Sequence, residues 1–228
     1  MAVNGVHHLA FMTSDMKAQI EFYTQVVGMR LVGIFPFHGV DGATHCFLDA
    51  GDDFLLSFVQ IKGSEVDPVY GVSHARDVSD PMAGGALQHI ALNLDSMDEM
   101  LEMRDRLRSK GYAVFGPLAH GLSYSMYLGA PEGIHLEFAT SEACDPIKAE
   151  NWVEPESAAL FGISEAELQL YMDPPEVVTS HGAVPQPAIE EAILPTPIPR
   201  PMFEKLGYLS DEELAEAMRF SAPSEAAE

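Results

Sequence analysis

The chain has 228 residues, 47% of them hydrophobic, which suffices for one or two compact domains with their own cores and sets aside a disordered composition. With 12 Lys+Arg against 35 Asp+Glu, the formal net charge of -23 argues against a nucleic acid partner and a polyanionic substrate, since binding phosphate needs clustered cations. Two cysteines without a CxxC spacing speak against a disulfide scaffold or a thiolate zinc site; with no basic leader and no apolar run near about 18 residues, a soluble cytoplasmic protein with no membrane partner is expected.

Val6 to Met12 is an apolar run suited to a buried strand, and Ser14 and Asp15 supply a turn and a helix cap. Met16, Ile20, Tyr23 and Val27 recur at helical spacing, and Gly28 stands where a left-handed C-terminal residue is wanted, so a helix is predicted over 16–27. A strand is predicted over 29–37, a loop over 38–44, and strands over 45–49 and 54–61 joined by a Gly-Asp-Asp turn. Residues 62–85 carry glycine, proline, Asp and Ser without periodicity and read as a long connecting loop holding His74.

A second strand begins at Leu87. Ser96 and Glu99 form a capping box for a helix ending near Lys110 before Gly111, and strands are predicted over 113–115, 123–128 and 134–140. Beyond Ser141 the composition changes: acidic residues surround Trp152, a short helix is predicted over 164–172, and residues 174–201 hold eight of the 16 prolines and read as extended. A last helix is predicted over 210–220, with Ser210 and Glu213 as its capping box. The tail's apolar residues, among them Leu168, Tyr171, Phe203 and Tyr208, suit docking on the core or on a neighbouring subunit.

The first 140 residues are a repeat. His8-Leu-Ala-Phe-Met-Thr-Ser-Asp-Met16 matches His89-Ile-Ala-Leu-Asn-Leu-Asp-Ser-Met97 in type and order, and Cys46 to Phe58 runs parallel to Met126 to Phe138. In that alignment Ser57 falls where the second copy has Glu137, so one copy offers a histidine and the other a histidine and a carboxylate. His8, His89 and Glu137 together make a 2-His-1-carboxylate set, which leaves coordination positions open on Fe(II), Mn(II) or Co(II) for substrate and dioxygen. His7 points to the opposite face of its strand and is structural, and His135 reads as a packed histidine.

On these residues the chain resembles the vicinal oxygen chelate superfamily, which includes glyoxalase I, bleomycin resistance proteins and type I extradiol dioxygenases. The resemblance covers residues 6–140 and implies an α+β fold of two paired βαβββ modules, about 5–62 and 86–140, forming a cupped, incomplete mixed β-barrel. A Pro-rich C-terminal extension, 141–228, would be a docking or oligomerisation arm. His8, His89 and Glu137 match the family's metal ligands. Within the family, the run from His120 through Tyr127 to Glu137 looks like the signature of the extradiol dioxygenases, with the tyrosine ten residues before the glutamate. His74, fifteen residues before His89, stands where that subgroup has its acid/base histidine.

The implied function is a nonhaem Fe(II) enzyme, with Mn(II) as the alternative metal, that cleaves the ring of a small aromatic diol with O2. His74, His120 and Tyr127 would be its catalytic residues, and a homo-oligomer its working form. The rivals are a metal-dependent isomerase, epimerase or thiol transferase of the same superfamily, and a drug-binding resistance protein to whose cationic ligand the acidic balance would be suited.

Overall fold

The computed structural model describes residues 3–51, 53–63, 65–176, 182 and 184–220. The first module runs β1 (His8–Met12), α1 (Met16–Glu21), β2 (Arg30–Pro36), β3 (Ala43–Asp49) and β4 (Leu55–Ile61). The second runs β5 (Ile90–Asn93), α2 (Met97–Ser109), β6 (Phe115–Ala119), β7 (Tyr124–Gly129) and β8 (His135–Thr140). Each makes one four-stranded sheet, in the orders β1-β4-β3-β2 and β5-β8-β7-β6, with the first and last strands of the module parallel and the other pairs antiparallel. The fold is therefore α+β, two βαβββ modules whose mixed sheets do not close into a barrel.

Register bears out the repeat. Ala10 lies opposite Ser57 across β1 and β4, and Ala91 lies opposite Glu137 across β5 and β8. Alternation sends Leu9 and Phe11 of β1 toward the helix side and His8, Ala10 and Met12 to the helix-free face. One apolar cluster unites both modules, with Tyr23, Leu48, Leu56 and Phe58 from the first and Met100, Leu107, Met126, Leu136 and Phe138 from the second.

Helix α1 starts as expected, with the Asp15 carboxylate accepting from the Ala18 N–H. It does not stay α-helical to Val27. Over Phe22–Val27 the turns widen, and Gly28 N–H donates to the Tyr23 carbonyl five residues back at 2.9 Å. The wider turn buries Phe22, Tyr23 and Val27 together, and Gly28 closes it at φ 105°. Two contacts lock the modules. The Glu132 carboxylate, in the turn before β8, accepts from the Ser14 N–H at 2.7 Å, from Gln19 Nε2 at 2.7 Å and from the Thr13 hydroxyl, so an anion from module two sits at the start of α1. Arg106 of α2 donates through Nε to the Val26 carbonyl at 2.6 Å, placing a cation at the other end of the same helix.

The compact unit that holds both modules extends through Asp173, past residue 140. Its last part forms α3 (Ala149–Trp152), α4 (Pro155–Ala159) and α5 (Glu165–Met172), of which the sequence predicted only α5. A second unit begins at Pro174 and contains α6 (Arg200–Leu206) and α7 (Asp211–Ala217), with the expected Ser210–Glu213 capping box on α7. Helix α6 corrects the extended reading at its end: Pro201 falls in the first turn, where its missing N–H costs nothing. Residues 177–181 and 183 of the Pro-rich stretch lie outside the described residues. Among the described residues no helix is long and apolar enough to cross a membrane.

Candidate metal centre

The helix-free face of the second sheet carries the most concentrated chemistry. Glu137 on β8 is flanked by Ala91 on β5 and Tyr127 on β7, so small Ala91 leaves space over the carboxylate while Tyr127 stands beside it. His89, one residue before β5, brings Nε2 to 2.9 Å from Glu137 Oε2. Its other nitrogen, Nδ1, is held by the Gln88 carboxamide oxygen, which fixes the ring and leaves the Nε2 lone pair facing the carboxylate. Two acceptors at that distance call for a cation between or beside them. With only 8% of the Glu137 side chain exposed, an uncompensated carboxylate there would be costly.

Tyr127 extends the set. Its hydroxyl lies 3.2 Å from His120 Nε2. Burial, followed by the nearby Glu137 carboxylate, pushes the Tyr127 phenol above its ordinary value, so it stays protonated and able to donate near neutral pH. His120 sits in a tight turn closed by its own N–H on the Ser123 carbonyl at 2.8 Å. Trp152 of α3 packs behind that turn, its ring 3.1 Å from where a Cβ on Gly121 would be.

His74 comes from the long loop. Ser73 Oγ is 2.8 Å from its Nδ1, and the ring lines a cavity of about 190 Å³ shared with Met12, Gln88, His89, Glu132 and His135. His89 thus faces Glu137 on one side and a cavity edged by His74 on the other.

His8 does not join this group. It lies on the helix-free face of the first sheet, with His7 Nδ1 at 2.9 Å from its own Nδ1 and the Phe47 ring 5.8 Å away. Phe47 and Ser57 are the first module's counterparts of Tyr127 and Glu137, paired across β3 and β4 as those two are across β7 and β8. His45 on the same face packs against Phe35 and Phe47; burial, and then the neighbouring His8, lowers its pKa. Among the described residues no three of His, Cys, Asp and Glu gather closely enough to hold a metal ion. The residues present therefore fit two of three donors, His89 and Glu137, on one face. Gln88, Ser73, Glu132 and Trp152 were not singled out from sequence; for the first two the signal was a hydrogen-bonding residue directly before each histidine.

Fold, repeat and donor face define a paired-module oxygen-chelate protein. The chain belongs to the Glyoxalase/Bleomycin resistance protein/Dioxygenase superfamily, whose family model matches residues 5–138. It is 24% identical over 142 residues to the biphenyl-2,3-diol 1,2-dioxygenase 2 of Rhodococcus globerulus, a match covering 62% of this chain and 65% of that one, less than two thirds of the relative's length. It is 26% identical over 139 residues to the lactoylglutathione lyase of Neisseria meningitidis serogroup A, covering 60% of this chain and 91% of the lyase. Among solved structures, the antibiotic binding protein TnmS3 of Streptomyces sp. CB03234 aligns with TM-score 0.45 at 21% identity, over 62% of this chain and 98% of that one.

Proposed function

We propose that this chain is a nonhaem Fe(II)-dependent extradiol dioxygenase that opens the ring of a catechol-like aromatic with O2. His8, His89 and Glu137 would be its metal ligands, and His74, His120 and Tyr127 its catalytic residues. The observation that carries the reading is the convergence of His89, Glu137, Tyr127 and His120 on one sheet face, with His74 on a cavity that also reaches His89. A lyase or a drug-binding protein has no evident use for that set of proton donors and acceptors around a histidine–carboxylate pair. Residues 141–228 are proposed as a docking or oligomerisation arm.

A ferrous ion on such ligands supplies acidity to a bound diol and a site for dioxygen. The chain's own side chains do the rest. His74, with Nδ1 engaged by Ser73, keeps Nε2 to accept a phenolic proton from the substrate. Tyr127, protonated and backed by His120, donates to a substrate oxygen and steadies the ring. Ala91 beside Glu137, and Ala10 in the equivalent place of module one, leave room for a planar ligand over each face.

The test is dioxygen uptake by anaerobically Fe(II)-loaded protein offered substituted catechols, with formation of visible-absorbing ring-opened semialdehyde and Glu137→Ala as the control. Uptake with ring-opened product, lost in the control, is expected. Tight metal binding with no uptake across the panel would instead favour the isomerase or transferase reading, and absence of metal binding the drug-binding one.

A further inference from the structure

The two histidines of the repeat stand at opposite ends of neighbouring strands. One cavity is bounded by Val6 and Leu9 together with Leu92 to Asp95, so the start of β1 lies against the end of β5. Another is bounded by Phe11 and Met12 together with Leu87 to His89, so the end of β1 lies against the start of β5. The strands run edge by edge in opposite directions. His8 and His89, at their respective starts, are separated by about a strand's length, roughly 13 Å for the four residue steps of β1. Ligands of one metal ion each lie about 2 Å from it, so no rotamer change within one chain brings His8 to the His89–Glu137 pair.

The two faces are complementary in what they lack. The first offers His8 and no carboxylate, because Ser57, fully buried, occupies the place of Glu137 and donates its hydroxyl to the Leu9 carbonyl at 3.2 Å. The second offers a histidine–carboxylate pair and lacks one histidine. Both leave large apolar side chains uncovered: Met12, on the His8 face, is 62% exposed and Phe115, opposite Tyr127, is 69% exposed. Exposed side chains of that size on a donor face are suited to cover by another surface.

We infer that the metal site is completed by a second copy of this chain, His8 of one protomer joining the partner's His89 and Glu137. The inference rests on the metal-ligand roles proposed above. A two-fold axis makes the arrangement reciprocal: where His8 meets the partner's Glu137, the partner's His8 meets Glu137, giving two equal sites per pair. The same pairing sets the Phe35, Phe47 and His45 rings of one copy across from the Tyr127 face of the other. An aromatic diol held at the site would thus have an aromatic wall opposite its donors.

The experiment co-expresses two differently tagged full-length chains, His8→Ala and Glu137→Ala, and isolates the mixed pair by tandem affinity. Mn(II) binding is read by electron paramagnetic resonance and metal analysis, with mass from sedimentation. Wild type is expected to bind two Mn(II) per pair, each variant alone to lose tight binding, and the mixed pair to recover one, because one of its sites is intact while the other carries both changes. The pair His8→Asn with Glu137→Gln repeats the test with side chains closer in shape, so that a folding defect in one variant does not decide it. A mixed pair that binds no better than its parents, or a wild type that holds Mn(II) as a monomer, overturns the inference. Recovery of binding in the mixed pair, with no ring-opened product from wild type, sinks the dioxygenase reading and leaves the shared site standing.

Discussion

Tyr23 carries a buried hydroxyl with no hydrogen-bond partner among the described residues, wedged against Phe22 and Phe58. A hydroxyl left unpaired in a core costs about 1–3 kcal/mol, so Tyr23→Phe should raise the urea midpoint, by about 1 kcal/mol, instead of lowering it. Burial also pushes the Tyr23 phenol up. The unfolded chain ionises this tyrosine near pH 10 while the folded chain holds it neutral, so the contribution falls away as pH rises above about 10. The stability gap in favour of Tyr23→Phe should therefore widen in alkali; a constant gap would show that the phenol ionises equally in both states. Glu132 makes the opposite case. Glu132→Ala strands the Ser14 N–H and the Gln19 amide and should cost about 2–3 kcal/mol, with Glu132→Gln losing less, both read by urea unfolding. Sequence marked neither residue: an apolar helical stripe does not disclose whether a tyrosine in it finds a partner, and Glu132 acts on residues more than a hundred positions away.

Strand β6 depends on one glycine. Gly116 has φ 126°, and a Cβ there would come within 2.6 Å of the Ser125 carbonyl oxygen and 2.8 Å of Met126 Cα, both backbone atoms of β7. The β6–β7 register also shifts between Phe115 and Leu118, next to this contact. Gly116→Ala should cost about 3 kcal/mol in urea unfolding, whereas Gly84→Ala, with open space around it, should change little. The strands and helices of both modules were legible because apolar spacing and capping residues act locally: Asp15, Ser96, Ser164 and Ser210 all cap as their spacing predicts. The widened turn over 22–27 was not, since Met16, Ile20, Tyr23 and Val27 fit an α-helical stripe equally well; it is the burial of Phe22 beside Tyr23 that needs the wider turn. Strand β6 runs over Phe115–Ala119 where a strand over 113–115 was predicted, because Pro117 and the register shift mask its alternation.

At the scale of the whole molecule, the apolar cluster draws only on residues between Leu9 and Phe138. A chain ending at Asp173 should therefore keep a cooperative urea transition and its near-ultraviolet circular dichroism; loss of that transition would show that the core needs residues 174–228. The repeat told the sequence reader which residues are equivalent, and so drew His8, His89 and Glu137 into one set. It carried no information about how two equivalent strands lie against each other, and their opposed, edge-by-edge course decides which members of the set meet. Ser57 has the last consequence. A duplicated fold starts as interchangeable halves, and with a carboxylate in both, like halves could associate as readily as unlike ones. A buried serine in one of them ends that exchangeability: the halves have become heads and tails of one piece, and each can drift toward its own task without having to suit its twin.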